Sequence, residues 1–323
     1  MLYVKCSMIK LFSGTSHPKL CLEVSRLLKI PLSKSEVIRF GNSEIRVRIN
    51  ENVKNAICVI IQPAVNPTDT HYMELFFFCD ALRRQEAKKV IGIIPYFGYA
   101  KQNIQHRVGE SVSVNVIIRF LEAIGFAKIY TFDLHDEATA GVFSIPFKHL
   151  SAFPLLAKHI RNYFLHSVET RHASSLQQDI ALVSPDQGAV EKVRNFGKIF
   201  FKTDNFSEVV IEKKRDLDTA HAAKPLDLYG IVKGKIALIV DDMIVSGSTV
   251  LPAVDLCLER GAREVYVAAV HHDFTKDAPT ALQSSKLEKF FTTNTISLRR
   301  DQQFSKLEEI SIAPLIANEL KNI

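Results

Sequence analysis

The sequence has no CxxC pair, and its five cysteines (Cys6, Cys21, Cys58, Cys79 and Cys257) make an odd number. Cys58 and Cys79 lie inside apolar runs. A disulfide framework or zinc site is therefore not expected, and buried free thiols in a reducing compartment are. No apolar stretch reaches about 18 residues, so no membrane span or membrane partner is expected. The opening MLYVKCSMIKLFSG has no long apolar core. No signal peptide is expected, and the cytoplasm is the expected location. Long blocks of one charge sign are missing too. Lys+Arg total 41 and Asp+Glu 35, interspersed, for a formal net charge of +6. That balance suits anionic small substrates, and no nucleic-acid partner is expected.

Hydrophobic residues make up 47% and charged residues 24% of the 323 positions, which excludes a disordered, collagen-like or coiled-coil chain. At about 150 residues per domain, the length suggests two domains. Short apolar runs alternate with helical spacing throughout. Strands are expected at 8–12, 37–40, 45–49, 56–62, 90–94 and 128–132 in the first half. Helices are expected at 17–29, 69–87 and 112–124. The second of these has Asp69 or Thr70 as its cap and Met73, Phe76, Phe77 and Leu82 on its inner side. In the second half, strands are expected at 180–184, 198–202, 207–211, 236–240 and 264–270, with helices at 187–196 and from Thr249 to about Arg260. Regular alternation with continuous apolar strands argues for parallel sheets covered by helices on both faces. A domain break is expected near 150–155, a polar surface excursion at 165–178 and a long charged loop at 212–229. His271-His272-Asp273, past a strand end, reads as a surface or interface feature rather than a metal cluster.

The most informative segment is IALIVDDMIVSGST, residues 236–249. An apolar strand delivers Asp241 and Asp242, and a turn of small residues then opens a helix. Free N–H groups at a helix start bind anions. Ser246, Ser248 and Thr249 add hydroxyl donors, and Gly247 lets the backbone approach a phosphate. The two acids can hold ribose hydroxyls, directly or through a cation. The bland alternative is a buried strand end with a capping serine, but two acids after five apolar residues are costly without a task.

This segment resembles the ribose-5-phosphate loop of type I phosphoribosyltransferases, a signature shared with the ribose-phosphate diphosphokinases, the synthases of 5-phosphoribosyl 1-diphosphate (PRPP). The rest of the chain resembles the diphosphokinase family. KLFSG and SHP (residues 10–18) look like its N-terminus, and FGNSEIRVRI (40–49) sits at its Phe-x-Asp-Gly-Glu loop. PYFGYAKQN (95–103) is similar to its Tyr-Ala-Arg-Gln-Asp segment, and DLHDE (133–137) to its Asp-Leu-His segment. VSPDQGAVEKV (183–193) is similar to its pyrophosphate loop, EKKR (212–215) to its mobile catalytic loop, and TTNTISL (292–298) to a stretch near its C-terminus.

The resemblance implies an α/β fold of two tandem phosphoribosyltransferase-like domains, each a mostly parallel sheet flanked by helices. It implies boundaries of 1–153 and 154–309, with a C-terminal helix at about 310–323 packing back on the first domain. It implies transfer of the β,γ-diphosphate of ATP to the C1 hydroxyl of ribose 5-phosphate, giving PRPP and AMP, with Mg²⁺ as cofactor. Lys213 and Arg215 would be the catalytic cations, with Lys214 between them in either role. Phe40, Asn42, Glu44, Lys101 and Gln102 would bind ATP, with Arg107 as a further cation. His135 and Asp186 would meet the metal. Asp186, Gln187, Gly188 and Ala189 would form the diphosphate loop. Asp241, Asp242, Ser246, Gly247, Ser248 and Thr249 would hold ribose 5-phosphate. The loop at 40–44 would reach an adjacent subunit, which implies a homo-oligomer: the family suggests a hexamer built from dimers, with tetramers and dimers also occurring.

The chain departs from the family pattern in several places. Asn42 and Ser43 replace the Asp-Gly of the first loop, Lys101 and Asn103 replace the Arg and Asp of Arg-Gln-Asp, Val245 replaces an Asp, and Ala189 a Gly. Two other readings stay open on these grounds: a catalytically weak regulatory subunit of the same family, and a phosphoribosyltransferase that uses PRPP.

Overall fold

A computed structural model describes residues 8–166, 173–213 and 226–323. The chain divides into two compact units, Met1–Ser151 with Thr295–Ser297 and Ser311–Ile323, and Ala152–Asn294 with Leu298–Ile310.

The first unit holds β1 (Ile9–Ser13), α1 (Pro18–Leu28), β2 (Ser35–Arg39), β3 (Ile45–Ile49), β4 (Ile57–Ile61), α2 (Thr68–Arg84), β5 (Lys89–Ile94), α3 (Ser113–Ile124), β6 (Lys128–Phe132) and β7 (Phe147–Leu150). Five strands pair in the order β1-β4-β5-β6-β7, all in parallel. Strands β2 and β3 form a separate antiparallel hairpin. Cys58 to Ile61 and Val90 to Ile94 are buried along their length, as strands covered on both faces require. Helix α1 starts on Pro18, which has no N–H to lose, and ends where Lys29 turns left-handed at φ 57°. The C-terminal helix (Ala313–Leu320) packs on α1. Ser311 Oγ donates to Glu23 Oε2 at 2.5 Å, and Lys148 pairs with Glu319 at 2.7 Å.

Helix α2 corrects two expectations. Neither Asp69 nor Thr70 caps it: the cap is Pro67, with no side-chain hydrogen bond. Its inner side carries Tyr72, Leu75, Phe76, Cys79 and Leu82, while Met73 is 43% and Phe77 36% exposed. The run LFFFC fills five consecutive positions, so it surrounds the helix and cannot by itself mark the inner face.

The second unit holds α4 (Phe153–His166), α5 (Ala173–Asp179), β8 (Ile180–Ser184), α6 (Val190–Phe201), β9 (Ser207–Lys213), β10 (Leu226–Tyr229), β11 (Ile236–Ile244), α7 (Val250–Glu259), β12 (Glu264–His272), α8 (Ala278–Ser284), β13 (Lys289–Thr293) and β14 (Leu307–Ile310). The sheet runs β10-β9-β8-β11-β12-β13-β14. Only β10 is antiparallel to its neighbour.

Four expectations change here. No strand forms at 198–202: α6 runs on to Phe201, because Val193, Phe196, Gly197 and Phe200 make one buried stripe at helical spacing. Part of the stretch at 165–178 is helical, α5, with Leu176 buried. The charged segment at 212–229 contributes strand at both ends, where β9 and β10 pair antiparallel. Strand β12 extends to His272, so His271 and His272 are 2% and 0% exposed rather than at the surface. Pairing with β11 carries it there, through Met243↔His271 and Ile244↔His272. Strand β11 likewise runs past the expected end at 240 to Ile244 and takes in Asp241 and Asp242.

Cys21, Cys58, Cys79 and Cys257 are free and buried, and burial pushes each thiol up to about 12. Cys6 lies outside the described residues. Among the described residues no helix is long and apolar enough to cross a membrane.

Candidate functional site

Apart from Phe40, Asn42 and Glu44 on the β2–β3 hairpin, most of the described residues singled out by sequence follow the carboxyl ends of parallel strands. Open α/β sheets bind ligands at those ends.

In the first unit, the chain after β5 turns through Pro95 to Asn103. Tyr72 Oη donates to the Gly98 carbonyl at 2.9 Å and fixes this turn against α2. A Cβ on Gly98 would lie 2.4 Å from the Ala64 carbonyl oxygen and 2.3 Å from Thr68 Cγ2. The Gly98→Ala chain is therefore expected to lose about 1–3 kcal/mol of stability in urea denaturation, since backbone has to move.

Lys101 and Gln102 stand exposed at the end of this turn. Gln102 Oε1 accepts from Ser113 Oγ at 2.6 Å, and Asn103 Nδ2 donates to Asp136 Oδ2 at 2.6 Å. The segment after β6 is pinned from below. Buried Asp133, at φ 33°, accepts from Ser151 Oγ at 2.7 Å, and the Leu134 N–H donates to His149 Nε2 at 2.9 Å. That anchorage leaves His135 exposed beside Asp136. The structure thus brings the Gln102–Asn103 and His135–Asp136 segments together.

Phe40, Asn42 and Glu44 lie at the exposed tip of the β2–β3 hairpin. Asn42 Oδ1 accepts the Glu44 N–H at 3.2 Å, and the Arg39 guanidinium donates to the Ser43 carbonyl at 2.7 Å. Sequence reasoning passed over Arg46. Its guanidinium carbon sits 5.6 Å over the Phe40 ring. The alternation of IRVRI was the available sign, since it puts Arg46 and Arg48 on one face of β3. Arg107 is exposed, and its backbone N–H donates to Glu110 Oε2 at 2.9 Å.

In the second unit, β8 ends at Ser184 and the chain makes a 3-10 turn at Gln187–Ala189 before α6. Asp186 Oδ1 accepts the Ala189 N–H at 3.2 Å, and Ser184 Oγ donates to the Asp186 carbonyl at 2.6 Å. Gln187 Nε2 donates to Glu212 on β9. On the neighbouring strand, Asp241 Oδ1 accepts the Asp242 N–H at 2.8 Å. Burial, with the Asp242 and Asp186 carboxylates close by, pushes the Asp241 carboxyl well above the usual carboxylate range. Asp186, Asp241 and Asp242 are therefore one electrostatic group.

Lys192 completes it and was not singled out from the sequence. Its Nζ lies 3.0 Å from Asp242 Oδ2. It stands four residues before buried Phe196, on the inner face of α6, and that placement was the sign available.

Past β11, Ser246 Oγ donates to Ser248 Oγ at 3.0 Å, and the Ser248 N–H donates to Ser246 Oγ at 3.3 Å. Gly247 is left-handed at φ 82°, and its carbonyl accepts the Leu251 N–H at 2.9 Å. Thr249 opens α7 without using its side chain as a cap. These hydroxyls and N–H groups stand at the start of a ten-residue helix, an arrangement able to receive an anion. Gly247→Ala would force a side chain into a conformation it resists, at about 1–2 kcal/mol. It is expected to raise the KM for a phosphorylated substrate more than it lowers kcat, as steady-state kinetics would show.

Lys213 closes β9. Lys214 and Arg215 lie outside the described residues. Among the described residues, no three or more His, Cys, Asp or Glu side chains form a complete metal-holding group.

Residues 9–125 match the N-terminal domain of ribose phosphate pyrophosphokinase, and residues 168–323 match the phosphoribosyl synthetase-associated domain. A ribose-phosphate pyrophosphokinase of Caldanaerobacter subterraneus is 34% identical over 98% of this chain and 94% of its own length. That of Bacillus subtilis is 30% identical over 97% of this chain and 93% of its own. The crystal structure of phosphoribosylpyrophosphate synthetase from Mycobacterium smegmatis superposes with a TM-score of 0.86, at 31% identity, over 98% of both chains. The expected fold of two tandem phosphoribosyltransferase-like domains stands on that match. With both halves matched and relatives alike over nearly their whole length, the chain belongs to the ribose-phosphate pyrophosphokinase family.

Proposed function

We propose that this ribose-phosphate pyrophosphokinase transfers the β,γ-diphosphoryl group of ATP to the C1 hydroxyl of ribose 5-phosphate, and that the clusters described above carry the reaction. The C1 oxygen bonds to the β-phosphorus, the bond from that phosphorus to the AMP oxygen breaks, and the hydroxyl proton is lost. The observation that carries the reading is the grouping of Asp241 and Asp242 with Asp186, a few residues before the hydroxyl-rich turn at Ser246–Thr249, in a member of this family.

Each residue has a task in this reading. Ser246, Gly247, Ser248 and Thr249 hold the 5-phosphate through hydroxyl and N–H donors. Asp241 and Asp242 accept from the ribose hydroxyls and fix the ring so that the C1 oxygen faces the diphosphate. The 3-10 turn of Asp186, Gln187, Gly188 and Ala189 receives the transferred group. Lys101 pairs with phosphate as a point charge, lacking the fork an arginine would offer. Phe40 stacks on adenine, with Asn42, Glu44 and Gln102 as polar contacts. Lys213 and Arg215 neutralise charge developing on the phosphate oxygens.

Mg²⁺ fits the donor set. It prefers oxygen ligands and usually takes one or two carboxylates plus substrate phosphates, so in the second unit Asp186 would hold it without an all-protein cage, and in the first unit exposed His135 would be a contact to the metal or the phosphates. When bound, it neutralises phosphate charge and makes the β-phosphorus more electrophilic. The exposed hairpin tip with Phe40 supports assembly into a homo-oligomer, read as a dimer-based hexamer, in which the tip serves a neighbouring subunit. Four buried free thiols suit a reducing compartment such as the cytoplasm.

Purified protein incubated with Mg²⁺, ATP and ribose 5-phosphate is expected to form AMP and PRPP in equal amounts. ADP in place of AMP, or no AMP above background, overturns the assignment.

A further inference from the structure

Two residues, one in the segment at 95–103 and one in the segment at 133–137, are coupled in a way that their separate sequences do not announce. The family pattern ends the first segment with an acid, and this chain has Asn103 there. Read alone, that is the loss of a carboxylate beside Lys101 and Gln102. The structure shows where a carboxylate stands instead. Asn103 Nδ2 donates to Asp136 Oδ2 at 2.6 Å, across from the loop after β5 to the loop after β6. Asp136 adjoins His135, and its Oδ1 accepts the Ala138 N–H at 2.9 Å.

An acid at position 103 would set two carboxylates within hydrogen-bond distance, and like charges that close do not both ionise. Asparagine at 103 turns this repulsion into a hydrogen bond that orients the acid at 136. In this chain the carboxylate stands one hydrogen bond away from position 103, on the loop after β6. Capping of the turn at Glu137–Val142 uses only the Oδ1 of Asp136. The Oδ2 contact with Asn103 is beyond what a cap requires, and each oxygen keeps a second lone pair for a ligand.

We propose that Asp136 supplies the carboxylate for the Mg²⁺–ATP side of the site in this chain, and that Asn103 is the residue that positions it. The inference rests on the functional reading above and adds a residue to it. It also predicts that a carboxylate at position 103 can take the place of the one at 136.

The test compares wild type, Asp136→Asn, Asn103→Asp and the double exchange Asn103→Asp/Asp136→Asn. Asparagine is itself a good capping residue, so Asp136→Asn keeps the turn. Binding of α,β-methylene-ATP is measured by calorimetry with Mg²⁺ and again in EDTA, and thermal denaturation checks folding. Asp136→Asn is expected to weaken binding at least tenfold with Mg²⁺ and to leave it unchanged in EDTA. The double exchange is expected to recover most of the loss. Asn103→Asp alone is expected to lower the melting temperature. A folded Asp136→Asn that binds the Mg²⁺ complex like wild type overturns the inference. So does a double exchange no better than the single. Those failures leave the functional reading intact if the wild type forms AMP, whereas a wild type that forms none sinks both.

Discussion

Lys192→Met is expected to destabilise the chain by about 3 kcal/mol, since it strands a buried charge. Asp242 is 3% exposed and lies 3.0 Å from Lys192 Nζ. It also sits beside Asp241 and Asp186 in a group of three acids. Taking away this cation leaves the Asp242 carboxylate uncompensated beside two further acids, where water reaches it poorly. Methionine retains the apolar stem, so the loss reports charge rather than packing. The converse change, Asp242→Asn, should cost less, because the longer lysine side chain can swing its ammonium towards solvent. The double change Lys192→Met/Asp242→Asn should then be more stable than Lys192→Met alone, which is the signature of a coupled pair. Urea denaturation of the four proteins measures this. A Lys192→Met chain within about 0.5 kcal/mol of wild type, the range of ordinary surface changes, would exclude the coupling. Kinetics should separate too: a misplaced Asp242 raises the KM for ribose 5-phosphate even where the protein stays folded.

The sheets were legible because buried parallel strands are written as continuous apolar runs. ICVII, KVIGII, IALVS and IALIV need no alternation to be recognised. The same signal misleads at KIFF, where an apolar run at the end of α6 resembles a strand; the stripe that makes it helical begins five residues before that run, at Val193. Strand ends were harder still. Polar residues at 241, 242, 271 and 272 suggest solvent, yet all four extend strands, because β11 and β12 hold each other by backbone bonds that do not depend on side-chain polarity. For the site, the acids and the hydroxyl-rich turn could be read locally because each motif is contiguous. Lys192 with Asp242, and Asn103 with Asp136, could not. Each pair joins separate loops or elements, and only the folded sheet edge makes them neighbours.

Asp241→Asn is expected to lower the rate of PRPP formation on the order of 10²-fold, the scale of loss for a misplaced substrate, while making the unliganded chain more stable at neutral pH. The two effects share one cause. Burial and the Asp242 and Asp186 carboxylates raise the Asp241 carboxyl well above the usual carboxylate range. The folded chain therefore keeps a proton that the unfolded chain has already released. Stability falls as pH rises from the ordinary carboxylate range through the raised value, and the full penalty remains above it. An amide never ionises, so Asp241→Asn escapes the penalty. Its advantage should be greatest above the raised value and should vanish at pH values below the ordinary carboxylate range. Melting temperatures of both proteins across that span give the sign directly, and an Asp241→Asn chain less stable than wild type at neutral pH would contradict it. Substrates reverse the order. A group that is costly when ionised and empty gains most when a ribose hydroxyl or Mg²⁺ meets it, so Mg²⁺ with ribose 5-phosphate should raise the melting temperature of wild type more than that of the variant. On the role proposed for it, the acid at 241 is held ready at the expense of the unliganded fold, and binding is where the stability would return.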